Sequence, residues 1–217
     1  MKKYAFVFSL MLISVINAES GMVNMFNGKD LTGWENPYDW GKITLKGDEI
    51  HLTTDKKKFF LVTTKKYSNF IFEAEVKMPE GKSNSGFLFR CLKKKGRAWG
   101  YQAECDPSDR KWSGGLYDEG RRKWMHPDRD FKVGKDDHFK KNLSPEWTEE
   151  KKNALKRHDW NKYRIECRGS EIKIYVNSVL TTHIIDTITP EGYIGIQHHG
   201  EKGKVYKFRN VKIKELK

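Results

Sequence analysis

Residues 70–78 set the pattern of the chain. Phe70, Phe72, Ala74 and Val76 alternate with Ile71, Glu73, Glu75 and Lys77, the two-residue period of a strand with one face toward a core. Pro79 and Gly81 stop the run. Residues 86–92, 100–106, 162–168, 171–177, 193–199 and 205–213 follow the same style, and many of their side chains are the β-branched and aromatic kinds that fit a pleated surface. Asn177-Ser178, between two apolar runs, predicts a hairpin turn. Short strands separated by turns, with no fixed-period repeat, predict an all-β fold, an antiparallel two-sheet sandwich or jelly roll.

Residues 120–160 break the pattern, being charged and turn-rich. Ser144-Pro145 has the chemistry of an N-cap followed by a first helical residue. Glu146, Glu149 and Glu150 come early, with Lys151, Lys152, Lys156 and Arg157 later, the order that suits a helix dipole. This predicts a short helical insertion over 144–157, lying against the sandwich.

The first residues read differently again. Lys2 and Lys3 precede an apolar stretch from Ala5 to Ile16, and Ala18 is a small residue at a cleavage position. That is the form of a signal peptide over 1–18, leaving one domain over 19–217. The expected location is exported, periplasmic or extracellular, without stable membrane insertion. Loss of the two signal lysines takes the formal charge from +13 to +11. A basic balance raises nucleic acid as a partner. The lysines are instead scattered in short runs among acids, with no recognition-helix or zinc-finger spacing, so the expectation is no nucleic acid. An aromatic share of 13% argues against disorder.

Strand alternation sorts the polar residues. Tyr101, Ala103 and Cys105 should share one face, opposite Gln102, Glu104 and Asp106. Ile194, Ile196 and His198 alternate with Gly195, Gln197 and His199. Phe87, Phe89 and Cys91 alternate with Leu88 and Arg90. With the apolar faces in the core, Arg90, Gln102, Glu104, Gln197 and His199 gather on one polar sheet face. Such a face suits a sugar, whose hydroxyls need many partners. The loop 114–124 adds Tyr117, Asp118, Glu119, Arg121 and Arg122 as a lip, since a guanidinium can hold sugar oxygens. Trp99, Trp112 and Trp124 are candidate platforms.

His198 and His199 point to opposite faces and cannot chelate one ion. The acidic cluster of His126, Asp128, Asp130, Asp136, Asp137 and His138 fits neither an EF-hand nor a zinc motif. No metal and no cofactor is read. Cys91, Cys105 and Cys167 look like small core fillers, and a disulfide between two of them is the alternative in an exported protein.

Seven motifs in order carry a resemblance. They are "FNGKDLTGW" at 26–34, "NSGFLFR" at 84–90, "GYQAE" at 100–104, "GGLYDEGRR" at 114–122, "WNKYRIE" at 160–166, "GYIGIQHHG" at 192–200 and "FRNVKIK" at 208–214. Together they resemble the 3-keto-disaccharide hydrolase domain family over essentially the whole chain after the signal. The resemblance implies a concanavalin A-like jelly roll and cleavage of 3-keto-glycosides, substrates supplied by an upstream sugar-oxidising enzyme. A C3 ketone acidifies the C2 proton; a base removes it, the aglycone leaves C1 by β-elimination, and water adds to the enone. The resemblance leaves Glu104 or His199 as the base, Arg90 with Gln197 as the ketone polariser, and Asp118 or Glu119 as the acid for the leaving oxygen. Gln102, Tyr117, Arg121 and Arg122 would bind substrate. Two other readings stand beside it. One is a lectin-like binding module. The other is an ordinary glycosidase using Glu73 with Glu75, or Glu104 with Asp106, each pair about 7 Å apart along a strand.

Overall fold

The computed structural model describes residues 21–127 and 136–217. The strands among them are β1 (Val23–Asn24), β2 (Trp34–Glu35), β3 (Lys42–Lys46), β4 (Glu49–Thr53), β5 (Phe59–Thr63), β6 (Phe70–Lys77), β7 (Ser85–Lys94) and β8 (Arg97–Cys105). They continue with β9 (Leu116–Glu119), β10 (Lys123–His126), β11 (Phe139–Asn142), β12 (Trp160–Arg168), β13 (Glu171–Val176), β14 (Val179–Asp186), β15 (Tyr193–His198) and β16 (Tyr206–Glu215). One sheet runs β11-β14-β13-β12-β6-β16-β4-β3, with β1 on β16; the other runs β10-β9-β8-β7-β15-β5-β2. All pairings are antiparallel. The fold is therefore the two-sheet sandwich that the alternation predicts.

The inner faces meet in one core. Phe70, Phe72, Ala74 and Val76 of β6 face Phe87, Phe89, Tyr101, Ala103 and Ile196 of the smaller sheet. Phe87 is its hub, with its ring centre 5.1 Å from Tyr163, 5.7 Å from Phe72 and 5.8 Å from Phe208. Cys105 and Cys167 lie in this core; all three cysteines are buried and free. Burial raises the thiols, Cys91 and Cys167 to about 12, so they remain protonated fillers.

At Asn177-Ser178 both residues have positive φ, 47° and 71°. That is the primed turn whose twist matches a tight hairpin, and it joins β13 to β14.

The helix is a correction. It spans only Glu149–Lys152, with Thr148 at the N-cap position making no side-chain capping bond. Ser144 instead hydrogen-bonds strand β14, donating to the His183 carbonyl at 3.2 Å and accepting from its N–H at 2.9 Å. A side chain engaged with a strand no longer caps a helix.

The β7 strand holds a second correction. A bulge falls between Phe89 and Leu92, and Arg90 has φ of 43°. The extra residue resets the alternation. Cys91 joins Leu88 in a small outer cluster with Phe60, Val62 and Ala98. Arg90 turns away from the outer face altogether.

Candidate functional site

The outer face of the smaller sheet carries a groove of about 220 Å³. It is lined by Lys58, Asn84, Gln102, Glu104, Arg110, Tyr117, Glu119, Trp124, Gln197 and His199. Register explains the grouping. Trp124 on β10 pairs with Tyr117 on β9, Tyr117 with Gln102 on β8, and Gln102 with Leu88 on β7. One row thus passes from aromatic to amide to aliphatic. Its neighbour places Glu104 beside Gly86.

Gly86 shapes the floor. A Cβ there would lie 2.6 Å from Gln102 Nε2 and 2.7 Å from its Cγ. The missing methyl lets Gln102 lean across and donate from Nε2 to Gln197 Oε1 at 3.3 Å. The same amide and Asn84 hydrogen-bond the Glu104 carboxyl.

Glu104 is 5% exposed. Burial first, then the Asp106 carboxylate and more weakly Glu119, push its pKa up to about 8, against the pull of the Gln102 and Asn84 hydrogen bonds. Its Oε2 and Gln102 Oε1 have no protein partner. Buried polar atoms are normally paired, so the floor offers one free carboxyl oxygen and one free amide oxygen to a hydroxyl-bearing ligand.

The rim is charged and aromatic. Lys58 Nζ lies 2.7 Å from Glu119 Oε1, so the segment before β5 reaches across three strands to β9. His199 Nδ1 lies 2.8 Å from Glu201 Oε1. Burial raises Glu201, but its hydrogen bonds with His199 and Tyr206 outweigh that and hold it low. The turn behind His199 is set by His198, which stacks on Phe59 and accepts from the Gly200 N–H at 3.0 Å. Burial lowers His198, which is neutral structure. Arg110 packs against Trp112 and Trp124, at 5.2 and 5.0 Å from their ring centres.

Of the residues expected to meet here, Glu104, His199, Glu119, Gln102, Tyr117 and Gln197 do; Arg90, Asp118, Arg121 and Arg122 do not. Arg90 is buried, and it donates from Nε and Nη2 to the Ser68 carbonyl at 2.8 and 2.6 Å, and from Nη1 to the Gly169 carbonyl at 2.7 Å. It ties two turns of the larger sheet to the bulge. Asp118 pairs with core Tyr101 across the ladder and so faces inward. Its oxygens bind Arg121 Nε at 2.7 Å and Arg122 Nε at 2.6 Å. Arg122 reaches Asp186 at the end of β14 at 2.8 Å, and Asp186 also accepts from Tyr101. Arg121 donates to Thr189 at 2.7 Å. These residues clamp the two sheets together.

Asn84, Lys58, Arg110 and Gly86 were not singled out from sequence. Asn84 and Gly86 stand inside the "NSGFLFR" motif, the one signal that could have marked them. Glu73 is tied to Lys162 and Arg164, and Glu75 to Arg209, on the other sheet. Of the acidic cluster, Asp128 and Asp130 lie outside the described residues, as does the expected signal peptide. No group of three or more metal-ligating side chains occurs among the described residues.

The architecture is shared widely at low sequence identity. A proposed glycosyl hydrolase from Parabacteroides distasonis superposes with a TM-score of 0.59 at 18% identity, covering 91% of this chain and 94% of its own. The carbohydrate-binding module CBM66 from Bacillus subtilis gives 0.56 at 15%, over 86% and 98%. A galectin-like protein of unknown function from Bacillus subtilis gives 0.52 at 9%, over 85% and 90%. These likenesses define the fold class as a galectin-like β-sandwich. No curated protein matches the sequence. The chain belongs to the 3-keto-alpha-glucoside-1,2-lyase-like domain family, whose sequence profile matches residues 21–214.

Proposed function

We propose that the groove cleaves 3-keto-glycosides by elimination, with Glu104 as the base. The carrying observation is the buried Glu104 carboxyl, with one oxygen unpartnered in a polar groove. Its proton affinity, near that of neutral solution, suits a group that takes a proton and gives it back. Family membership supplies the reaction class. In this reading Glu104 takes H2 from C2, that electron pair forms the C1–C2 double bond, and the C1–O bond breaks. The ketone conjugates with the new double bond, and hydration at C1 gives the 3-keto sugar. Gln102 Oε1 accepts from a sugar hydroxyl, and the Gln197 and Asn84 amides face the ketone. His199, backed by Glu201, protonates the departing oxygen. Glu119 is engaged with Lys58 and serves the wall. An enzyme that oxidises C3 must act first.

An ordinary glycosidase needs two working carboxyls across the bond. Here Glu104 stands with Asp106 on its own strand side and Glu119 in an ion pair. The test compares a 3-keto glycoside with its unoxidised parent. Turnover of the former alone, lost on Glu104→Gln by roughly 10²–10⁴, supports the proposal. Equal rates on both would favour the glycosidase, and binding with no cleavage of either a lectin-like module.

A further inference from the structure

We infer that Asp106 and Arg110 form a positioning pair that sets the proton affinity of Glu104, and with it the pH range in which the groove works. The inference rests on the reading of Glu104 as the base and extends it to the residues that tune that base.

Asp106 follows Glu104 by two residues and shares its face, about 7 Å along the strand. It is 2% exposed. Its Oδ1 accepts from the Ser108 N–H at 3.1 Å, and its own N–H donates to Ser113 Oγ at 2.9 Å, so the carboxylate cannot swing away. Arg110 Nη2 lies 2.8 Å from Asp106 Oδ2. That contact is close but poorly directed, because Oδ2 has no aligned hydrogen bond. The guanidinium is held over Trp112 and Trp124, and it is half-exposed. Asp106 thus places a partly compensated negative charge beside Glu104, both carboxyls being buried.

The other charged groups facing Glu104 are compensated locally. Glu119 on β9 is met by Lys58 at 2.7 Å, and His199 after β15 by Glu201 at 2.8 Å. Tyr117 on β9 is a phenol kept neutral by burial. Asn84, Gln102, Gln197 and Gly86 carry no charge. Asp106 is the charge that most opposes ionisation of Glu104, with Glu119 adding less, and Arg110 is the cation that limits it.

The two residues therefore act with opposite signs. Removing the Asp106 charge makes Glu104 easier to ionise; removing Arg110 leaves Asp106 bare and makes it harder. A unit charge about 7 Å away, at an effective dielectric of ~20, shifts proton affinity by about tenfold or more. A merely structural pair would disturb Glu104 in one direction from either side.

The experiment is a carbon-13 titration of the full chain labelled at glutamate side-chain carboxyls, with the Glu104 signal assigned by its loss in Glu104→Gln. Asp106→Asn should move the Glu104 midpoint down by about one pH unit or more, and Arg110→Gln should move it up by about half a unit. Asn keeps the bond to Ser108, and Arg110 is exposed enough for Gln to be tolerated. Should Asp106→Asn fail to fold, the upward shift in Arg110→Gln decides alone. Midpoints that do not move, or that move in the same direction, overturn the inference. The acidic limb of kcat/KM on a 3-keto glycoside should track each midpoint. A midpoint that shifts while that limb stays fixed retains the tuning pair and rejects Glu104 as the base.

Discussion

Glu104 shows how one side chain links folding to chemistry. Its carboxyl holds a proton in the folded chain up to about pH 8, whereas an unperturbed glutamate releases it near 4.5. Between those values the folded state binds more protons than the unfolded state, so stability falls as pH rises through the window. Glu104→Gln should abolish that fall. Urea unfolding at about pH 5 and about pH 9 should show wild type losing stability and the variant far less; parallel loss in both would contradict the burial argument. With Glu104 in the proposed role of base, activity should run the other way, because a base works ionised, and kcat/KM should rise with pH until about 8. Gly86 makes a separate claim. Gly86→Ala should fold, because the clash falls on the flexible Gln102 side chain. It should displace that side chain and cost about tenfold in kcat/KM, the size of one hydrogen bond. Unchanged kinetics with normal stability would remove Gln102 from the site. The alternation in the sequence was enough to put Gln102, Glu104, Gln197 and His199 together. It could not reveal Gly86, whose importance is an absent atom beside another strand.

At the scale of elements, the reading held wherever strands are regular and failed where one is not. The β8 and β15 faces follow strict alternation, so their residues were legible. In β7 a bulge adds a residue, and the buried Arg90 side chain passes from the expected polar face to the Ser68 and Gly169 carbonyls of two turns. No local signal announces a bulge, because its cause lies in pairing with β8 and β15. Arg90→Met should therefore destabilise the chain by roughly 1–3 kcal/mol, having removed the donors to the Ser68 and Gly169 carbonyls. The folded fraction should keep near-normal kcat/KM. A large kcat loss without a stability loss would restore Arg90 to catalysis. Asp118 failed similarly: loop residues at 114–122 looked like a lip, but Asp118 lies on the inward half of β9. Its charge answers Arg121 and Arg122 between the sheets. Asp118→Ala should cost about 1–3 kcal/mol by removing the buried carboxylate that joins two partly buried guanidinium groups, Arg122 keeping Asp186 and Arg121 keeping Thr189, read from the urea midpoint; a cost near zero would mean the clamp is ornamental. The helix over 144–157 shrank because Ser144 found a strand partner that local spacing does not show.

For the whole molecule, a sandwich leaves two outer faces with different uses. On the larger sheet acids and bases alternate in ion pairs, such as Glu73 with Lys162 and Arg164 and Glu75 with Arg209. That face spends its charge on itself. On the smaller sheet the outer face divides into an apolar patch around Phe60 and Leu88, packed against Tyr38 and Tyr193, and the groove around Glu104. Loops from distant parts of the chain meet there, which is why Lys58 could not be placed from sequence: its partner Glu119 lies on β9, whereas Arg110 pairs locally with Asp106, four residues earlier in the loop after β8. The central claim is that this groove removes a proton from carbon. Incubation of a 3-keto glycoside with the enzyme in heavy water measures it most directly. Elimination followed by hydration should place deuterium at C2 of the released 3-keto sugar, beyond the slow exchange of the free ketone and beyond that seen with Glu104→Gln. Enzyme-dependent cleavage that leaves C2 unlabelled would contradict the account.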